Sequence, residues 1–254
     1  MKIGFLGTGE ICKAVILGLL KSKIKYSKIY ISRRNKKNSN YLSSLNKKII
    51  VLNENQKIIN NSDWIFLSLT PEVGNKILKK LKFKKSQIII SFISTIKMRD
   101  LKKIIKVKAK IFRAIPLPPI SLMKGPIPIY PPNKSIRVFF DKIGDSIEIK
   151  NEDLSLNFWA TSSLMAPYFE LLALSSKWLQ NKGLEKKASQ KYITSLFSSL
   201  SDFANLHAKN DLNLLVKNSQ TPKGLNEQTL KFLKKSGFYK NFNKSLNEIL
   251  KRLK

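Results

Sequence analysis

The stretch that most constrains this chain is its beginning, residues 2–34. A short apolar run, Ile3-Gly4-Phe5-Leu6, passes directly into Gly7-Thr8-Gly9-Glu10-Ile11-Cys12. Behind it, Ile11, Ala14, Val15, Gly18 and Leu19 recur at the spacing of one apolar helix stripe. A second apolar run, Lys28-Ile29-Tyr30-Ile31, delivers Ser32-Arg33-Arg34. Strand, glycine turn, amphipathic helix and strand in this order form the unit that receives the pyrophosphate of a dinucleotide. Gly7 permits the tight turn, and Gly9 removes the side chain that would hold a phosphate away from the first amides of the helix. The third fingerprint position, where Gly or Ala is favoured, carries Cys12, which is still small.

The residues after the second strand carry more information than the glycines. A site selecting NAD places Asp or Glu there for the ribose 2′-hydroxyl, whereas arginine accommodates a 2′-phosphate. This chain offers Ser32, Arg33 and Arg34, and its 48 basic residues include only six arginines against 48 − 6 = 42 lysines. NADP(H) is the expected cofactor. A lone G-x-G is a weak signal, and the surrounding strand-helix-strand context is what strengthens it. The competing reading of the two arginines is a solvated strand end.

With 254 residues, 43% of them hydrophobic, the chain is long enough for one large or two ordinary domains, with a real core. A net charge of +32 raises nucleic acid or an anionic membrane as a partner. Against nucleic acid, the lysines are spread over nearly every polar face, and no interleaving of arginine with aromatics is found. The densest runs, 76–85 and 97–110, read as solvated helix faces, and the field draws in anionic cofactor and substrate. One cysteine excludes an internal disulfide framework and one histidine a Cys/His metal cluster, so no metal is expected. Both fit a reducing cytoplasm. No apolar run approaches the roughly 18 residues of a membrane span, and the apolar start is too short for a secretion signal and interrupted by Glu10.

Beyond residue 34 the pattern alternates. A polar helix or loop over 35–47 precedes a strand at 49–52, and a short helical piece ends near Asn61. The apolar run 62–69 is a strand covered on both faces, ending at Thr70-Pro71-Glu72, where proline suits the first position of a helix expected to reach about Lys82. A strand at 87–93, a helix at 97–106 and a strand at 109–115 follow. Seven prolines from Pro116 to Pro132 exclude a regular helix and predict an ordered loop with an edge strand at 127–130. A helix at 136–143 and a strand at 146–149 close a domain of residues 1–150. The fold class is α/β, a Rossmann-like doubly wound sheet followed by an all-α C-terminal domain over 151–254. In that second domain, apolar residues from Phe158 to Leu179 cover most of one helix's circumference, which predicts burial on nearly all sides and a partner chain sharing the cover. Gly183 ends this helix, and further helices are expected at 185–209, 211–216, 222–235 and 241–253.

Taken together, Gly4-Phe5-Leu6-Gly7-Thr8-Gly9, Leu67-Ser68-Leu69-Thr70-Pro71-Glu72, Ile89 to Ile93, Arg113-Ala114-Ile115-Pro116, Ala166-Pro167-Tyr168 and Thr221-Pro222-Lys223-Gly224 resemble the pyrroline-5-carboxylate reductase family over nearly the whole chain. The resemblance implies a Rossmann domain, a helical domain interlocking with a second subunit into a homodimer, and reduction of a small cyclic imine carboxylate, pyrroline-5-carboxylate to proline, by hydride from NAD(P)H, in proline biosynthesis. By position it implies that Gly7, Thr8, Gly9, Glu10 and Ile11 hold the pyrophosphate, and Ser32, Arg33 and Arg34 the 2′-phosphate. Leu69, Thr70, Pro71, Ile93 and Ser94 would lie near the nicotinamide. For the substrate it implies Pro116, Ser163, Met165 and a segment of either subunit carrying Thr221, Gly224, Leu225 and Asn226. Thr221 before Pro222 also reads directly as an N-cap and first helical residue, whose free amides attract an anion such as the substrate carboxylate.

Departures from the family pattern fall at the substrate: Glu10, Thr70, Leu117, Ser163 to Met165 and Leu225-Asn226 stand where the family has other residues. No catalytic residue is identified. An iminium can take its proton from solvent, His207 is expected at the surface or in packing, and Tyr168 or Glu170 are the available donors, with packing the expected role of Tyr168. Two other readings stay open: a carbonyl or hydroxy-acid reductase using Lys177 or Lys182, and a non-catalytic NADP(H)-binding sensor or scaffold.

Overall fold

The computed structural model describes residues 1–254, and the chain divides into two compact units, Met1–Trp159 and Ala160–Arg252. In the first unit, eight strands form one sheet: β1 (Lys2–Leu6), β2 (Lys28–Ser32), β3 (Ile49–Leu52), β4 (Trp64–Leu67), β5 (Ile88–Ser91), β6 (Lys110–Ala114), β7 (Pro126–Tyr130) and β8 (Asp145–Glu148). Their order is β3-β2-β1-β4-β5-β6-β7-β8. The first six pair in parallel, as expected when each strand is followed by a helix that carries the chain back. Those helices are α1 (Glu10–Lys21), α2 (Lys36–Leu45), α3 (Asn55–Asn60), α4 (Pro71–Leu78) and α5 (Met98–Ile105), joined later by α6 (Lys134–Phe140).

Alternation along each strand sends side chains to two separate cores. Ile3 and Phe5 of β1 pack with Val15, Leu19 and Phe140 from α1 and α6 on one face. Leu6 packs with Ile58, Leu78 and Leu101 from α3, α4 and α5 on the other. Phe5 stacks on Phe66 with ring centroids 4.7 Å apart. Each of these fully buried side chains contributes about 1.5–3 kcal/mol relative to exposure.

The strand expected at the sheet edge is internal. β7 pairs antiparallel with β6 and parallel with β8, and β8 forms the edge. Its prolines explain how: Pro128 offers only a carbonyl, which accepts from Ile115 N, while β8 is served by the carbonyls of Gly125 and Ile129. The donor-less positions therefore lie on the β6 side, where the register is only Arg113↔Tyr130 and Ala114↔Ile129. The proline-rich loop also holds a 3₁₀ turn at Pro118–Leu122, and α4 stops at Leu78 rather than near Lys82.

After a 3₁₀ turn at Glu152–Leu154 the helices are α7 (Ser155–Ser162), α8 (Met165–Asn181), α9 (Lys186–Leu206), α10 (Leu212–Asn218), α11 (Leu225–Lys235) and α12 (Phe238–Leu253). The division between units falls inside α7. Burial of α8 on nearly all sides does not occur within the single chain: Phe169, Leu174 and Trp178 are 58%, 58% and 61% exposed, and Ser176 is its one buried residue. Its main packing partner in the chain is α9, with the Tyr168 and Phe197 rings in edge contact at 6.1 Å, and Phe238 and Phe242 of α12 line a cavity beside Tyr168 and Leu171. No helix is long and apolar enough to cross a membrane.

Candidate functional site

Strand order reverses about β1, which lies between β2 and β4, and the helices that follow β1 and β4, α1 and α4, pack into the separate cores on opposite faces of the sheet. In an open parallel sheet that is where a ligand crevice forms. Gly7 leaves β1 with φ +95°, a conformation side chains rarely adopt, and a Cβ on it would collide with the Ser68 carbonyl. The loops after β1 and β4 therefore lie flush, joined also by Ser68 N donating to Leu6 O at 2.8 Å.

Gly9 behaves in the opposite way. It caps α1 at φ −71°, and a Cβ built on it meets no protein atom within 4 Å. The fold does not require a glycine there, and the open space lies over an α1 N-terminus that no side chain caps. The donors of that first turn are thus available to a phosphate, which is the fit a dinucleotide demands.

A buried polar clasp joins this turn to the end of β2. Gly7 N donates to Ser32 Oγ at 3.2 Å, and Thr8 Oγ1 donates to Ser32 O at 2.9 Å. Asn35 N reaches Thr8 Oγ1 at 3.4 Å. Both side chains the sequence nominated here, Thr8 and Ser32, are buried and engaged with each other's loop, so their hydroxyls hold the two loops in register. Asn38 was missed. It lies in the polar stretch 35–47, yet it is buried, and its Nδ2 donates to Thr8 O and to Glu10 Oε1, each at 3.0 Å. The Glu10 carboxyl is held below its ordinary value chiefly by that Asn38 hydrogen bond, against a slight desolvation, with Lys13 adding to the lowering. Cys12, packed beneath the turn, is fully buried, and burial pushes its thiol pKa far up.

Arg33 and Arg34 follow β2, both exposed, with neither guanidinium in an ion pair. Asn35 caps α2 immediately after them by accepting from Asn38 N at 3.0 Å. Two free guanidinium groups next to a lysine-rich helix start suit a phosphate better than a ribose hydroxyl.

Farther along the same sheet edge, Thr70 precedes α4 with Pro71 at its first position, Leu69 is half-buried, and Ile93 is buried against Gly74 of α4. Ser94 is fixed from behind: Arg113 Nη2 donates to Ser94 O at 2.5 Å and to Ile93 O at 3.3 Å. Nη1 of the same arginine meets Glu152 Oε1 at 2.6 Å, and that carboxylate oxygen also accepts from Met98 N at the start of α5. This buried pair clamps the β5–α5 loop. The sequence showed Arg113 only as a landmark, because its partner lies 39 residues away. Pro116 is buried just beyond β6.

In the second unit, Ser163 and Met165 sit at the break between α7 and α8, with Ser163 Oγ bonded to Ala160 O at 2.6 Å. The expected cap at Thr221 is corrected. Helix α11 starts at Leu225 behind Gly224, and residues 221–224 form a turn closed by Gly224 N donating to Thr221 O at 2.8 Å. Lys223 at φ +59° breaks the helix that Thr-Pro would otherwise open. Leu225 is exposed, and Asn226 Nδ2 is spent on Ser219 O. His207 packs on Phe203 with centroids 4.7 Å apart, and Tyr168, expected in the core, is 38% exposed.

The open switch point, bare glycine turn and following helices define the class by fold, a Rossmann-like doubly wound sheet followed by a helical unit. A family model described as NADP oxidoreductase, coenzyme F420-dependent, matches residues 2–95. Within the class, the resemblance to the pyrroline-5-carboxylate reductase family is borne out across the whole chain. Pyrroline-5-carboxylate reductase 2 of Bacillus subtilis is 22% identical over 99% of this chain and 93% of its own length. The structure of 1-pyrroline-5-carboxylate reductase from Streptococcus pyogenes superposes with a TM-score of 0.84 at 20% identity, covering 100% of this chain and 98% of that one. Plasmodium falciparum pyrroline carboxylate reductase with NADP bound gives 0.84 at 19% identity, covering 100% and 97%.

Proposed function

We propose that this chain is an NADP(H)-dependent reductase of a small, anionic cyclic imine, the pyrroline-5-carboxylate reductase reaction or a close variant. The observation that carries the reading is the pairing of an open, uncapped α1 N-terminus over Gly9 with two unpaired arginines after β2. The clasp through Ser32, Thr8 and Asn38 fixes the spacing between those two phosphate-accepting points.

When bound, NADPH supplies the hydride. The chain's own residues do the positioning. Amides at Gly9, Glu10 and Ile11 would donate to the pyrophosphate, and Arg33 and Arg34 to the 2′-phosphate. Leu69, Thr70 and Pro71 with Ile93 and Ser94 bound the reacting ring, the second pair held by Arg113 and Glu152. A reaction of this kind gains chiefly from placement, since an iminium carbon is already electrophilic and its nitrogen is protonated from water. The start of α11, which no side chain caps, leaves the amides of Leu225 and Asn226 to a substrate carboxylate, with Gly224, Pro116, Ser163 and Met165 assigned to the substrate by family position.

A second copy of the chain is the proposed cover for the helical unit. Phe169, Leu174 and Trp178 on α8, with Leu200, Phe203 and Leu206 on α9, are each more than half exposed, and clustered apolar side chains of this kind mark an interaction surface.

Following NADPH consumption with pyrroline-5-carboxylate beside a panel of cyclic imines and 2-oxo acids tests the reading. Turnover of an imine carboxylate is expected. Turnover of 2-oxo acids alone would transfer the chain to carbonyl reduction, and tight NADPH binding without turnover of anything would make it a sensor.

A further inference from the structure

We propose that Asn38 is a positioning residue of the dinucleotide site, one that holds the Glu10 carboxylate off the phosphate-accepting turn. The inference rests on the NADP(H) reading and adds a residue to it. Glu10 is the first residue of α1, and an acidic side chain there is drawn to the same amides and the same positive helix end that attract a phosphate. Its side chain is 74% exposed and long enough to turn. Left free, it would be a built-in competitor anion.

Two partners restrain it. Lys13 Nζ lies 3.7 Å from Oε2 and at the same time over the Tyr41 ring at 5.3 Å, and a solvent-accessible pair at helical spacing contributes little. Asn38 is of another kind. It is 2% exposed, and its carboxamide gives one proton to Thr8 O and the other to Glu10 Oε1, which uses both donors of the group. Its backbone is fixed in turn by the Asn35 cap. The carboxylate is thereby tied toward α2, and the space over Gly9 stays clear. Release of a full negative charge beside a pyrophosphate in a partly solvated cleft costs about tenfold in affinity.

The test is NADPH and NADH binding, by nucleotide fluorescence, to the full chain as wild type, Asn38→Ala, Glu10→Gln and the double variant, at low and high salt. Asn38→Ala is expected to weaken both nucleotides about tenfold, because the pyrophosphate is common to them, and the loss shrinks at high salt. Glu10→Gln alone tightens binding about twofold, and in the double variant it restores affinity to within about threefold of wild type. A double variant as weak as Asn38→Ala, or Asn38→Ala binding as wild type does, would overturn the assignment. Should Asn38→Ala not fold, Glu10→Gln decides by itself, since weaker binding contradicts a competing carboxylate. Wild type that binds neither nucleotide would sink the cofactor reading and this inference together; wild type that binds, with no coupling between the two positions, sinks only this one.

Discussion

Two glycines two residues apart separate what the fold needs from what the ligand needs. Gly7→Ala places a side chain at φ +95° and drives its Cβ into the Ser68 carbonyl, which belongs to backbone and cannot step aside. The unfavourable φ alone costs about 1–2 kcal/mol, and the collision brings the loss to about 3 kcal/mol. For a chain of this size that is a fall in Tm of roughly 6–12 °C. Gly9→Ala meets nothing within 4 Å and has an ordinary φ of −71°, so its stability is unchanged or raised by about 0.5 kcal/mol through a less flexible unfolded chain. Its added methyl stands where the pyrophosphate must approach, and NADPH affinity falls by about tenfold or more. Thermal unfolding by circular dichroism and NADPH titration of both variants read the two effects apart. A Gly9→Ala protein that melts as low as Gly7→Ala, or one that binds NADPH like wild type, would refute the reasoning.

Glu152→Ala leaves the buried Arg113 guanidinium without its counter-ion and frees Met98 N, so urea unfolding should show a loss of about 3 kcal/mol, partly recovered when Arg113→Met is added. Cys12 should resist iodoacetamide in the native protein and react on denaturation, because burial removes access and disfavours the thiolate; rapid native labelling contradicts the packing under the glycine turn. Light scattering should give twice the chain mass of 29.1 kDa, and a monomer at micromolar concentration would leave the apolar faces of α8 and α9 without the proposed cover.

The sheet was largely legible because its first six strands are apolar runs separated by helical patterns, and each predicted run contains or overlaps an observed strand. Local signals failed where two structures share one signature. Thr221-Pro222 suits a helix start and a tight turn equally, and only Lys223 at φ +59° distinguishes them. The apolar girth of α8 predicted burial, yet periodicity does not say whether the covering chain is the same one. At the site, Gly7, Gly9 and the arginine pair followed from position in the βαβ unit. Asn38 and the Arg113–Glu152 clamp did not, since pairings across 28 and 39 residues leave no local pattern.

The central claim is that Arg33 and Arg34 meet a 2′-phosphate while the Gly9 turn meets the pyrophosphate. Its most direct measurement is the ratio of NADPH to NADH dissociation constants in wild type and in Arg33→Ala/Arg34→Ala. The account predicts that wild type prefers NADPH and that the double variant loses about 2 kcal/mol or more of NADPH binding, near thirtyfold, with NADH changed little. Equal loss of both nucleotides, or a wild type without preference, would contradict it.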